Sequence, residues 1–248
     1  MVAAKRNTGG LVEFFKTILY AGLIAVGIHS FLFQPFFIPS GSMVPTLLVG
    51  DYLFVNKFAE GYSRFSFPYA PDLFSGRIFG RLPKRGQVVV FSPPGDPRED
   101  FIKRVIGLPG DTIQMIGGQL YINGTVVPRT NVGTYTDDSS GGPVVARAYE
   151  ETLPGGKTHM ILKETDEGFA NNTPVYTVPA GDLFMMGDNR DDSEDSRFMD
   201  GPVGYVPDEN VLGPAEIIFF SIDLRHPFYE FWEWPFEIRW DRMFHSVT

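Results

Sequence analysis

The feature that most limits how this chain can fold is an uncharged, apolar run near its N-terminus. From Thr17 to Pro39 the sequence contains no Asp, Glu, Lys or Arg. A membrane-spanning helix needs about 20 apolar residues, so the run predicts one transmembrane anchor over residues 17–38. A cleaved signal peptide would share the basic start and the apolar stretch. Against it, the run is longer than a typical signal core and ends in large side chains rather than an A-x-A-like cleavage site.

Basic residues before the run predict its orientation. Lys5, Arg6 and Lys16 precede the anchor, and positive residues favour the cytoplasmic side of a membrane. We therefore expect residues 1–16 to be cytoplasmic and the chain from about residue 40 onward to face the opposite side of the membrane.

The rest of the chain is predicted to be rich in β-structure. The 27 glycines and 20 prolines among 248 residues suit a fold with many turns. Alternating or β-branched apolar stretches predict strands at 51–57, 87–91, 101–106, 112–116, 119–127, 183–186 and 211–222. The predicted fold class is an all-β domain of antiparallel sheets behind one N-terminal transmembrane helix.

One long segment is less regular than its surroundings. Residues 128–180 hold candidate strands at 144–149, 158–163 and 174–178, and we interpret them as an insertion or a smaller β subdomain. The main β domain then consists of residues 39–127 and 181–248. Within it, Asn123-Gly124 is a signal for a hairpin turn.

Two aromatic stretches indicate contact with a lipid bilayer. Residues 60–86 form a predicted loop with aromatic content that could lie on the bilayer surface. The tail from Phe228 to Phe244 is predicted to pack around short helical pieces, in a membrane-interface or domain-covering role. Its aromatic residues are Phe231, Trp232, Trp234, Phe236 and Trp240.

Composition excludes several classes of function. The net charge of -9 argues against a nucleic-acid partner, which needs a basic surface. The chain has no cysteine, so disulfides, thiol catalysis and cysteine-ligated zinc are excluded. H-E-x-x-H is also absent, and we predict no metal and no cofactor.

The polar loop 187–204 is acidic enough to suggest a calcium site, but it does not match the EF-hand pattern. Counted from Asp191, it lacks the glycine at position six and the final Glu of an EF-hand, since Ser196 and Pro202 stand there. Arg190 and Arg197 alternate with its acidic residues, which favours a salt-bridge and hydrogen-bond network internal to the loop over a cation site.

A candidate nucleophile follows the anchor directly. Ser40-Gly41-Ser42 lies between Pro39 and Pro45, and the prolines restrict the backbone that carries the hydroxyl groups. From these residues alone, an ordinary surface loop is the simpler interpretation.

A candidate base lies on the strand at 101–106. Side chains alternate along a strand, so Lys103 and Arg104 point to opposite faces and one of them must enter an apolar face. Burial would lower the lysine pKa and make it a workable general base. The alternative is an edge lysine that guards against strand aggregation. The four histidines, His29, His159, His226 and His245, stand in no recognisable catalytic context, so a Ser-His-Asp arrangement is poorly supported.

Five boxes in one order carry a resemblance to a known family. They are Ser40 to Leu47, Gly50 to Tyr52, Arg85 to Phe91, Lys103 to Asp111, and Gly187 to Arg190 continued by Asp195 to Arg197. Together they resemble the conserved boxes of bacterial type I signal peptidases, from the anchor to about residue 222. The one departure is Asp192, where the usual box has asparagine.

The resemblance implies a Ser-Lys dyad protease on an all-β catalytic domain. Ser42 would be the nucleophile and Lys103 the general base, with Ser40 donating to the oxyanion and Ser193 orienting the lysine. Asp195 and Arg197 would form a supporting ion pair, and Asp188 and Arg190 would be structural in the same loop.

The expected function is therefore a membrane-bound serine endopeptidase of the bacterial inner membrane. It would cleave signal peptides from exported preproteins through an acyl-enzyme, after small residues at the first and third positions before the cut. Two alternatives remain: a relative that matures one dedicated secreted or pilus substrate, and a non-catalytic, membrane-tethered β binding module.

Overall fold

The structure is a computed structural model that describes residues 9–67, 70–72, 74–137, 144–223, 232 and 234–247. Within these residues fourteen strands pair antiparallel in three sheets. The strands are β1 (Phe33–Phe37), β2 (Asp51–Asn56), β3 (Val88–Phe91), β4 (Phe101–Gly107), β5 (Thr112–Ile116), β6 (Gln119–Ile122), β7 (Thr125–Val126), β8 (Arg129–Asp137), β9 (Val144–Thr152), β10 (Thr158–Lys163), β11 (Tyr176–Thr177), β12 (Asp182–Met186), β13 (Val206–Pro207) and β14 (Val211–Ser221). The predicted all-β class is confirmed.

The largest sheet has seven strands in the order β1-β2-β14-β3-β4-β12-β13. Its centre is the β-branched run Val88–Phe91, in which all four side chains are buried. The neighbouring strand β4 is in turn buried from Lys103 to Gly107. Because both faces of β4 are covered, Lys103 and Arg104 are both buried. The alternation of side chains along the strand predicts burial for only one of these two residues.

A four-stranded sheet, in the order β11-β5-β6-β7, packs against the end of the large sheet. Ile113 and Leu120 contribute to an apolar cluster that also holds Ile106 of β4 and Phe184 of β12. The turn between β6 and β7 has positive φ at Asn123 (53°) and at Gly124 (73°), which is the backbone that the Asn-Gly hairpin signal predicts.

A separate three-stranded sheet, β10-β9-β8, lies within the predicted insertion. Its strand β8 was not predicted, because its sequence is polar and has no clear alternation. Strand β11 also comes from residues 128–180, but it pairs with β5 of the four-stranded sheet. The sheet pairing therefore crosses the boundary at residue 128, and the domain limits remain a prediction.

The N-terminal segment differs from the predicted anchor of residues 17–38. A helix, α1, runs over Gly9–Phe31, and the chain then forms β1, which pairs with β2 along its whole length. The prediction was wrong for Phe33–Phe37, because a phenylalanine-rich stretch suits an edge strand as well as a membrane segment. No described helix is both long enough and apolar enough to cross a membrane. Lys5 and Arg6 lie outside the described residues.

The tail contains the expected short helical pieces, α2 (Trp234–Glu237) and a 3-10 turn over Trp240–Arg242. Trp232, Phe236 and Trp240 are all exposed, Phe236 by 85%. Phe231 lies outside the described residues. The Arg242–Asp51 ion pair (2.6 Å) joins the tail to β2.

Candidate active site

Ser42 lies in a single 3-10 turn, Gly41–Met43, where an irregular loop was the simplest expectation. The turn is fixed from below by Met43, which is fully buried in the core of the seven-stranded sheet. Its carbonyl groups are held from the side by Asn189, whose backbone N–H donates to Ser42 O (3.1 Å) and whose amide donates to Gly41 O (3.3 Å). Ser42, the candidate nucleophile, is therefore buried, and the turn that carries it is fixed by Met43 in the core and by the hydrogen bonds from Asn189.

Lys103 reaches Ser42 directly. Its Nζ lies 2.6 Å from Ser42 Oγ in a hydrogen bond between buried groups. Burial lowers the pKa of Lys103 from 10.5 to about 8, although nearby carboxylates, Asp195 foremost, partly oppose the shift. The pair thus joins a hydroxyl to an amine that loses its proton at mildly alkaline pH.

Ser40 is the second hydroxyl of this turn. Its Oγ lies 3.5 Å from Ser42 Oγ, a distance at which either hydroxyl can donate. The side chain is exposed to solvent beside the nucleophile, so its hydroxyl is free to rotate towards a bound substrate.

The loop after β12 packs against the back of the pair. A Cβ at Gly187 would lie 2.5 Å from both Ser193 Cβ and the Ser42 carbonyl oxygen, so only glycine fits here. Ser193 is buried close to Asp195. Its hydroxyl forms no hydrogen bond with any of the described groups, Lys103 included. Burial alone would raise the pKa of Asp195, but Arg197 and the Gly187 N–H together lower it.

The internal network that the sequence predicted for this loop forms only in part. Asp195 and Arg197 pair within the loop through two bonds of 2.8 Å, and Arg197 also donates to Arg190 O (2.6 Å). Asp188 instead binds Arg104 of β4 through two bonds of 2.8 and 2.7 Å. The prediction missed this outside partner because a sequence shows which charges alternate, but not which strands come to face them.

Arg190 also pairs outside the loop. Its guanidinium binds both carboxylate oxygens of Glu151 on β9, and both side chains are buried. Nothing in the sequence around Glu151 distinguished it from the exposed Glu150 beside it. Arg104, by contrast, could have been found from its place next to Lys103 on a strand buried on both faces.

Two further buried basic residues, His159 and Lys163, were not predicted to belong to the site. His159 Nε2 lies 3.6 Å from Glu151 Oε2 and 3.8 Å from Asp188 Oδ1. Burial lowers the pKa of His159 to about 4, so the ring is neutral near pH 7. Lys163 Nζ donates to Asn171 Oδ1 (2.5 Å) and to Asp191 (3.2 Å). Among the described residues, the Ser42 hydroxyl is bonded to Lys103 and to no histidine. His226 lies outside the described residues.

A cavity of about 220 Å³ opens beside the Ser42–Lys103 pair. Its walls come from β1 and the segment after it on one side and from the start of β4 on the other. The lining residues are Phe36, Phe37, Ile38, Pro39, Ser40, Ser42, Val90, Glu99, Asp100, Phe101, Ile102 and Lys103. Such a cavity admits small apolar side chains next to the hydroxyl, so the arrangement can support nucleophilic attack on an extended chain.

Comparison with known proteins identifies close relatives. A family model described as signal peptidase, peptidase S26, matches residues 11–220. The signal peptidase I of Rickettsia typhi is 42% identical over 84% of this chain and 79% of its own length. That of Rickettsia akari is 44% identical over 80% of this chain and 75% of its own. A solved signal peptidase I from Enterococcus faecalis aligns over 54% of this chain and 97% of that chain, at 26% identity and a TM-score of 0.33.

Proposed function

The chain belongs to the signal peptidase family, peptidase S26, and from this premise we propose that Ser42 and Lys103 carry out its reaction. As a member of the family, it is a serine peptidase that cleaves signal peptides from preproteins. The single observation that supports the dyad is the 2.6 Å bond between Lys103 Nζ and Ser42 Oγ. This is the distance at which a general base takes a proton.

The proposed reaction has two halves. Neutral Lys103 accepts the Ser42 proton while Ser42 Oγ attacks the scissile carbonyl carbon. The ammonium then gives that proton to the leaving amine, the peptide bond breaks, and an ester to Ser42 remains. In the second half a water molecule gives its proton to Lys103 and attacks the ester. Ser42 Oγ is released and takes the proton back.

Charge develops on the carbonyl oxygen in both halves. The Ser40 hydroxyl and the Ser42 backbone N–H are the proposed donors to it. Ser40 supports this role by its position 3.5 Å from the nucleophile, since oxyanion donors act from just beside the attacked carbon.

The supporting residues act through the loop. Asp188 fixes the loop to β4 next to Lys103, and the Asp195–Arg197 pair fixes its far end. We retain Ser193 as the residue that orients Lys103, supported by its burial against Gly187. Arg190 stays a structural residue in this proposal, paired with Glu151.

The substrate would bind as an extended strand with small residues one and three positions before the cut. A strand presents alternate side chains to one surface, so these two residues would both face the apolar cavity. β1 is an edge strand of its sheet and lines the cavity, which leaves its outer backbone groups free to pair with the substrate.

The dyad is tested with purified full-length protein in detergent and a preprotein that carries an A-x-A site. We expect cleavage at one site by the unmodified chain, none by Ser42→Ala or Lys103→Ala, and unchanged cleavage by Lys84→Ala, an exposed lysine. Cleavage by Lys103→Ala would exclude this mechanism. If the chain cleaves only one of several preproteins, a relative with one dedicated substrate is favoured. If it cleaves none of them but binds them equally well with and without Ser42, the non-catalytic binding module is favoured.

We propose further that the protein is held at the bacterial inner membrane, with the N-terminus cytoplasmic and the catalytic domain on the other side. The uncharged run of Thr17 to Pro39 supports this. So do the exposed side chains of Phe14, Phe15 and Leu19 on α1. Extraction of cell membranes at alkaline pH tests the anchor, and release of the full chain into the soluble fraction would contradict it.

An aromatic surface next to α1 is the proposed contact with the lipid headgroups. Phe33 and Phe37 on β1 are each 39% exposed. They adjoin Phe54 and Tyr52 of β2. Phe79 of the predicted loop is 85% exposed, as is Phe236 of the tail. Aromatic side chains favour the interface. Lipid-borne quenchers should quench the tail tryptophans, Trp232 and Trp240 among them, and unquenched emission would contradict bilayer contact by the tail.

A further inference from the structure

The three-stranded sheet β8–β10 packs directly against the segment that carries the nucleophile. Ala146 and Ala148 of β9 and Leu162 of β10 form one buried apolar cluster with Val44, two residues after Ser42. Alanine at two of these positions allows the strand to approach closely. The sheet thus forms part of the wall behind the active site.

A backbone connection joins β10 to the same region. Leu162 N donates to Asp188 O (2.9 Å), and Arg190 N donates to Leu162 O (3.0 Å). This short parallel bridge leaves Asn189 between β10 and the nucleophile turn. On its other side, Asn189 donates twice to that turn, to Ser42 O and Gly41 O.

Buried charges fix this bridge from the hairpin side. Glu151 binds Arg190 through two hydrogen bonds. Lys163 binds Asp191, which also accepts the backbone N–H groups of Glu164 (2.7 Å) and Thr165 (3.1 Å). Lys163 has no exposed side-chain surface, and burial lowers its pKa to about 8. Burying a cation is costly unless it is paired, and Asp191 and Asn171 are the partners that hold Lys163 in place.

We propose that the β9–β10 hairpin positions the nucleophile: Lys163 and Glu151 fix residues 188–191, and Asn189 transmits that position to the Ser42 turn. The inference rests on the proposed Ser42–Lys103 reaction. It makes Asn189, Glu151 and Lys163 positioning residues, since none of them contacts the reacting atoms. It also gives residues 128–180 a role in the reaction.

The expected effect is on the rate of reaction and not on substrate binding. A displacement of the attacking atom by about 1 Å costs on the order of 100-fold in rate. The cavity for the substrate lies on the β1 side of Lys103, away from the hairpin. We therefore expect kcat to fall while KM is unchanged.

The test compares Asn189→Ala and Lys163→Met with the exposed control Lys84→Met, all in the full chain with a preprotein substrate. Asp191 keeps three other donors in Lys163→Met, from Asn171 and the Glu164 and Thr165 amides, so this variant is chosen to fold. We expect kcat per folded molecule to drop about 10- to 100-fold in both variants, with KM within about twofold and the control unchanged.

A melting curve of each variant gives the fraction of molecules that are folded, and kcat is divided by this fraction. A fall in kcat that remains after this correction reports positioning and not loss of stability. If Lys163→Met does not fold, Lys163→Gln, which keeps a polar terminus, takes its place. A kcat per folded molecule that is unchanged in the Lys163 variant overturns the inference. Ser42→Ala distinguishes a failure of the positioning role from a failure of the proposed reaction. If Ser42→Ala still cleaves the preprotein, the proposed reaction is wrong. If Ser42→Ala is inactive while the Lys163 variant keeps its kcat, only the positioning role is wrong.

Discussion

Lys103 Nζ and Ser42 Oγ are joined by a 2.6 Å hydrogen bond between two side chains that solvent hardly reaches. With a pKa of about 8 for Lys103, roughly a tenth of the amine is neutral at pH 7, against less than a thousandth for an ordinary lysine. The burial that disfavours the ammonium form of Lys103 therefore supports its proposed role as the base. No histidine is needed for this step.

Cleavage should follow the deprotonation of Lys103. In the proposed mechanism the neutral amine is the active form, so we expect kcat/KM to rise with pH through about 8 and then to level off. Asp192 is exposed and raises the Lys103 pKa, so Asp192→Asn should move the midpoint to lower pH, whereas Asp241→Asn in the tail should not. A rate governed by a group that titrates near pH 10 would contradict the role of Lys103.

Removing the buried amine should stabilise the fold while it abolishes activity. Lys103 shares its side of β4 with Val105, in an apolar cluster with Val89 and Met185, so methionine at 103 fits this surface without the cost of burying a charge. We expect Lys103→Met to raise the free energy of unfolding at pH 7 by about 1–3 kcal/mol. Denaturant unfolding measures it, with Lys84→Met as control. A loss of stability would show that the amine is well compensated where it lies.

The sequence was sufficient for features that depend on local pattern. Val88–Phe91, the strand of Lys103 and the Asn123-Gly124 turn follow from β-branched runs, alternation and turn chemistry. The boxes also placed Ser42 and Lys103 in one candidate site, and the structure joins these two residues by a hydrogen bond although they are far apart in the chain.

Features that depend on tertiary pairing could not be predicted. Glu151 differs from Glu150 only in which side of β9 it occupies, and no pattern marked that side as buried. Phe33–Phe37 is apolar in either structure, and only its pairing with β2 makes it a strand. The partners of Asp188 and Arg190 lie on strands β4 and β9, which a reading of the loop alone does not consider.

The Arg104–Asp188 pair should contribute strongly to stability. Burial alone would raise the pKa of Asp188, but Arg104 keeps it below its usual value. Asp188→Asn leaves a buried guanidinium without its carboxylate, which costs about 3–5 kcal/mol. Denaturant unfolding should show this loss, whereas Asp192→Asn, at an exposed position of the same loop, should stay within about 0.5 kcal/mol. If Asp188→Asn loses little stability, the hydrogen bonds from the Arg104 guanidinium to Thr46 Oγ1 and the Gly86 carbonyl are enough to compensate its burial.

His159 should make the protein sensitive to mild acid. Burial lowers its pKa from 6.5 to about 4, and Arg104 and Arg190 act in the same direction, against Asp188 and Glu151. Between pH 6.5 and about 4 the unfolded chain therefore binds a proton that the folded chain does not, so stability falls as pH falls through this window, by up to about 3 kcal/mol.

The buried carboxylates Asp188 and Asp195, whose pKa values are also lowered, lose their contribution only below the usual pKa of 3.8, so their effect is separable by pH from that of His159. His159→Gln should flatten the fall in Tm between pH 6.5 and 4, while His245→Gln, at an exposed tail position, should leave it unchanged. Melting curves at half-unit pH steps measure both. An equal fall in Tm with and without His159 would assign the acid sensitivity to other groups, because a ring that titrates alike in the folded and unfolded chain contributes no pH dependence.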